Sequence, residues 1–131
     1  MRYLSVILLT LACSAAPIAP QVPLNAEMMT PPEIYRDWWR GAEACAGVTG
    51  DFDQIRWWIV PGYSWVLTRN NYSMEINGLQ YRDNIYVAAF WASDKALVTH
   101  EILHALGFVH PDGILDPMDY PWPFRGCATE P

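Results

Sequence analysis

The chain has 131 residues, about one domain's worth, and 52% of them are hydrophobic against 17% charged, which excludes an intrinsically disordered chain. Its net charge of −6 argues against a nucleic-acid backbone or an anionic membrane surface as partner.

The N-terminus reads as an export signal. Arg2 supplies a positive charge, and the apolar run Tyr3 to Ala12 is too short to span a bilayer but suits the hydrophobic region of a signal peptide. Two endings fit. One is ordinary cleavage among the small residues Ala12 to Ala16. The other uses Leu9-Thr10-Leu11-Ala12-Cys13, which resembles a bacterial lipobox and makes Cys13 a candidate lipidation site. Residues 1–16 are thus expected to be a signal peptide. The protein is expected outside the cytoplasm, either extracellular or periplasmic, or held to a membrane as a lipoprotein. Residues 17–29 are Pro-rich and without period, and read as a linker. Residues 30–131 are expected to form one domain.

A helix is expected from Thr30, where Thr30-Pro31-Pro32-Glu33 offers a capping residue, a Pro at the first helical position and a Glu three after the cap. Ile34, Trp38, Ala42 and Cys45 follow on one face, and Gly47 ends the helix. Cys45 is thereby expected on the buried side.

Strand-like runs come next. Ile55 to Val60 ends at Pro61-Gly62, Ser64 to Thr68 at Asn70-Asn71, and Tyr72 to Ile76 at Asn77-Gly78, a type I′ hairpin signal. Ile85 to Trp91 is a nearly continuous apolar run and reads as a central strand. Trp57 and Trp58 are neighbours, so on a strand they face opposite ways. Packing is the favoured role for them, with an exposed peptide- or sugar-binding Trp as the alternative. Asp51 and Asp53 read as turn residues. The expectation is one mostly antiparallel sheet of about four strands.

A second helix, capped by Ser93 or Asp94, carries Ala96, Leu97, Ile102, Leu103, Leu106 and Phe108, and Gly107 stops it. Its end holds all three histidines of the chain, in His100-Glu101-Ile102-Leu103-His104-Ala105-Leu106-Gly107-Phe108-Val109-His110. His100 and His104, four apart on a helix, lie about 40° apart around the axis and about 6 Å along it. Both imidazoles can therefore share one ion. The turn at Gly107 lets His110 return to the same ion. Three nitrogen ligands with a fourth position open is the arrangement of a catalytic zinc ion. Glu101 is not a ligand in this set. It stands beside one, where it can take a proton from water that the metal acidifies and pass it to a leaving amine.

These eleven residues resemble the long zinc-binding pattern of the metzincin metalloproteases at all five defining positions. The resemblance implies a zincin-like α+β fold with an N-terminal helix, the sheet, an active-site helix and a segment bearing a Met-turn. Asp116-Pro117-Met118-Asp119-Tyr120 fits that turn, with Met118 beneath the metal as in the matrixins. Pro111 after the third His, and Tyr120 two residues after the Met, are similar to the serralysins. By that likeness Tyr120 is a candidate oxyanion stabiliser, and a packed turn Tyr is the alternative. The metzincins carry a helix after the Met-turn. Here eleven Pro-rich residues follow Tyr120 instead.

The resemblance implies a zinc endopeptidase with one catalytic Zn2+ and a peptide or protein substrate; the signal segment implies export, the acidic charge no nucleic-acid partner, and a monomer is expected. Two alternatives stay open: a non-catalytic module that retains zinc, and a zinc hydrolase of a non-peptide bond. Asp112, Asp116 and Asp119 lie near the third His, as candidate acceptors for a ligand imidazole or as ordinary turn residues. The cysteine count is three. With Cys13 lost or lipidated, Cys45 and Cys127 are expected to pair as a disulfide, with two buried thiols as the alternative.

Overall fold

The computed structural model describes residues 20, 22–69, 72–110 and 127. In chain order it contains strand β1 (Glu27–Met29), helix α1 (Glu33–Ala46), strands β2 (Arg56–Val60), β3 (Trp65–Arg69), β4 (Tyr72–Ile76), β5 (Gly78–Tyr81) and β6 (Asn84–Ala88), and helix α2 (Lys95–Ala105). Short 3-10 turns cover Phe52–Gln54 and Ala89–Trp91. The class is α+β with mostly antiparallel pairing. The signal segment, the candidate lipid site Cys13 and the Met-turn lie outside the described residues.

The strands make two sheets rather than one. The larger has the order β1-β2-β6-β5, and β3 with β4 forms a separate antiparallel pair. Within the larger sheet β2 runs parallel to β6, with Trp57 opposite Ile85 and Ile59 opposite Val87. The other two pairings are antiparallel. Two strands were not legible in the sequence. β1 lies inside the stretch read as linker, and β5 begins at the glycine read as a turn. Asn77-Gly78 closes no hairpin. Asn77 links strands of different sheets, and its carbonyl accepts from Ala88 N at 2.9 Å. The hairpin of the larger sheet instead joins β5 to β6 through Arg82 and Asp83, with Arg82 at φ 54°.

The first helix begins later than expected. Pro32 is its N-cap, and no side chain caps it. The reason is local: a residue before proline is pushed out of the helical region, so Pro31 cannot open a helix that runs through Pro32. The buried face is also shifted by one residue, to Tyr35, Trp39 and Ala42, leaving Ile34 exposed. Both registers satisfy helical spacing. The observed one buries two aromatic side chains of roughly 150–250 Å2 each and satisfies their polar tips. Tyr35 donates its hydroxyl to the Ala92 carbonyl at 2.5 Å, and Trp39 donates Nε1–H to Glu43 at 3.0 Å. Gly47 ends α1 in the left-handed conformation at φ 70°, as expected.

Both helices contribute to the core on one face of the larger sheet. Tyr35 and Trp39 of α1, Phe52, Trp57, Ile85 and Val87, and Val98, Ile102 and Leu103 of α2 form one buried cluster. Trp57 meets Tyr35 and Phe52 at ring separations of 4.8 and 5.8 Å. On the opposite face Trp58 stacks on Tyr86 at 5.7 Å and donates Nε1–H to Asn84. Neither Trp of the pair is exposed, so packing is their role here. The expected strand over Ile85 to Trp91 stops at Ala88. Phe90 and Trp91 leave it in a 3-10 turn and gather with Tyr63, at ring separations of 4.8 to 5.1 Å. Asp51 caps the turn at Phe52, and Asp53 pairs with Arg36 at 2.6 Å.

The structure brings Cys45 and Cys127 together with disulfide geometry, their Cα atoms 5.6 Å apart. Cys45 itself is exposed rather than buried, a consequence of the shifted helix face. Cys127 is half-buried and packs against the core.

Candidate metal centre

The site is built on α2. Asp94 caps this helix by accepting from Leu97 N at 2.8 Å. The helix is buried on more than one side: Val98, Ile102 and Leu103 enter the core, Thr99 and Glu101 are buried with them, and Ala96 is exposed.

The helix ends in a Schellman motif, which satisfies its last carbonyls and reverses the chain. Gly107 N donates to the His104 carbonyl at 3.0 Å, and Phe108 N reaches back to Leu103 O at 3.1 Å. Gly107 holds φ 100°, a region that costs a side chain about 1–2 kcal/mol. The reversal returns His110 to the helix.

His100, His104 and His110 converge. One ring nitrogen from each lies within 4.8 Å of the others, close enough to bind a metal ion. The Nε2 atoms of His100 and His104 are 3.1 Å apart. Two ligands on a tetrahedral zinc with bonds of 2.0–2.1 Å would stand about 3.3 Å apart, so this pair needs almost no adjustment. The ring centroids of the three pairs are 4.7 to 5.2 Å apart.

The tautomer of His104 follows from its neighbour. Its Nδ1 lies 2.8 Å from the Phe108 carbonyl, which can only accept, so Nδ1 carries the proton and Nε2 the lone pair. This outer partner was not found in the sequence, where Asp112, Asp116 and Asp119 were the candidates. Those three lie outside the described residues. A backbone carbonyl has no side-chain signature, and only the glycine that turns the chain hinted at it.

Electrostatics keep the His100 and His104 rings neutral. Burial, then the charges of His104 and His110, lower the His100 pKa to about 4. Burial also lowers that of His104, against the opposing effect of the Phe108 carbonyl. Neutral imidazoles are the form that binds metal.

Glu101 is only 4% exposed. Burial pushes its carboxyl up to about 8, partly offset by the Gln80 backbone N–H that donates to it. A divalent cation nearby would favour the ionised form and draw that value down. The carboxylate stands against β5: a Cβ added at Gly78 would lie 2.9 Å from its Cδ. Neither Gly78 nor Gln80 was singled out from the sequence as part of the site. Met118 and Tyr120 lie outside the described residues.

No family model, curated protein or solved structure matches this chain. The family likeness therefore rests on the motif residues themselves.

Proposed function

We propose that this protein is an exported zinc-dependent endopeptidase of metzincin type. The observation that carries the reading is the convergence of His100, His104 and His110, with Glu101 next to His100 in the chain and buried. The three imidazoles would hold the ion. A zinc ion bound there polarises a carbonyl oxygen and lowers the pKa of an adjacent water to about 7. Glu101 accepts the proton of the attacking water and returns it to the departing amine nitrogen. Among the described residues β5 is the outer strand of its sheet, beside β6, and it packs on α2. An extended peptide added to this edge would lie beside Glu101.

The test is Glu101→Gln in the full chain, loaded with zinc. It should retain one zinc per chain and lose cleavage of a broad peptide library. If it cleaves as fast as the parent, Glu101 is not the base.

One observation favours a second reading, a non-catalytic zinc-retaining module. Glu101 is sealed against β5 and engaged by the Gln80 N–H rather than open to solvent. A zinc-loaded chain that cleaves no member of the library would support it. Mass spectrometry of products separates peptide hydrolysis from hydrolysis of another bond.

A further inference from the structure

We propose that β5 aims Glu101, with Gly78 as the positioning residue; the inference rests on the reading of Glu101 as the base. The observations concern one close approach. Glu101 occupies the space that a side chain at position 78 would fill: an added Cβ would stand 2.9 Å from Glu101 Cδ and 3.0 Å from Cγ. Real Cβ atoms almost never come so near, so one of the two groups would have to move. Gly78 has no positive φ, so it is not required there by backbone conformation. Its register is fixed by pairing with Val87, a fully buried residue of the central strand β6. The glycine cannot retreat without breaking that ladder. Glu101 would therefore yield.

The Gln80 N–H, two residues along the same strand, donates to the carboxylate and gives it a second fixed point. Of the other glycines described in the structure, only Gly50 has comparable crowding, and there the neighbours are Leu106 and Trp39. Gly78 is the one that meets a candidate reacting group. A base held between a glycine and a backbone donor sits in one place. Displacement by about 1 Å can cost on the order of 100-fold in rate.

The experiment compares Gly78→Ala, Glu101→Asp and the double variant in the full, zinc-loaded chain. Gly78→Ala should lower kcat at least ten-fold, with KM within two-fold and zinc stoichiometry unchanged. Asp is shorter by one methylene and clears the added methyl group. In the Gly78→Ala background Glu101→Asp should therefore cost less than in the parent, or restore part of the rate. A Gly78→Ala variant with kcat within two-fold of the parent would overturn the proposal, provided that Glu101→Gln is inactive.

Thermal unfolding of the metal-free variants separates this from the failure of the peptidase reading. If the parent cleaves nothing, a double variant more stable than the two single changes add up to still establishes the contact, and additivity refutes it. If Gly78→Ala does not fold, Glu101→Ala in the same background decides: restored folding places the clash at Glu101, and continued failure places it elsewhere and overturns the proposal.

Discussion

The Phe108 carbonyl accepts the Nδ1 proton of His104 at 2.8 Å, so the turn that ends α2 also orients the second histidine of the cluster. Gly107, at φ 100°, makes this possible by sending Phe108 back along the helix.

Gly107→Ala should therefore act on stability and metal binding together. The left-handed conformation costs an Ala about 1–2 kcal/mol, and loss of an outer hydrogen-bond partner typically costs roughly 10–100-fold in metal affinity. Thermal unfolding of the metal-free chain gives the first quantity, and competition with a chelator the second. A variant that loses stability but keeps full affinity would show that the Phe108 carbonyl does not set the ligand.

Removal of a ligand should be more severe than removal of its orienting partner. His100→Ala, His104→Ala and His110→Ala are each expected to lose more zinc affinity than Gly107→Ala does. Saturating zinc should stabilise the parent, by about 2.7 kcal/mol at one hundred times the dissociation constant, and should leave the three variants unmoved. Calorimetric unfolding with and without zinc reads this directly.

Tyr35 predicts the alkaline limb of stability. Burial raises its pKa to about 12, above the ordinary tyrosine value of 10.0. Between these values the unfolded chain releases the phenolic proton while the folded chain keeps it. Stability should thus be complete below pH 10 and fall as pH rises towards 12. Tyr35→Phe should reduce this slope, leaving the part that Tyr86, also raised by burial, contributes. It also leaves the Ala92 carbonyl without the Tyr35 hydroxyl, a loss of about 1 kcal/mol near neutral pH. Denaturant midpoints measured from pH 7 to 11 check both effects.

The pairing of Cys45 with Cys127 predicts no free thiol for either residue under native conditions. The bond spans 82 residues, and in the chain-entropy view a loop of that order contributes at most about 4–5 kcal/mol. Thiol labelling with and without reductant, followed by unfolding of a Cys45→Ser variant, measures the bond and its contribution.

The sequence made the convergence of the three histidines legible because the motif spacing is short and helical. His100 and His104 need only the periodicity of α2, and His110 only the glycine that turns the chain. Strands β2, β3 and β4 were legible from apolar runs with turn residues between them. What escaped was set by tertiary contact. Glu27–Met29 has too little pattern to announce a strand, and becomes one because β2 offers an edge. Gly78 resembled a turn glycine because Asn-Gly so often closes hairpins. It is in fact a strand glycine whose missing side chain leaves room for Glu101. The face of α1 was misjudged by one residue because two apolar stripes overlap on it, and only the partners of Tyr35 and Trp39 decide between them.

β1 is paired at one margin of the larger sheet and β5 at the other, with β2 and β6 between. Three strand spacings, about 14 Å, separate the two margins. Whatever is joined ahead of Glu27, including a fusion partner or immobilising tag, thus enters along the margin remote from Glu101. Surface-immobilised protein attached through its N-terminus should keep the β5 margin turned towards solution, an orientation suited to binding and cleavage assays on tethered protein.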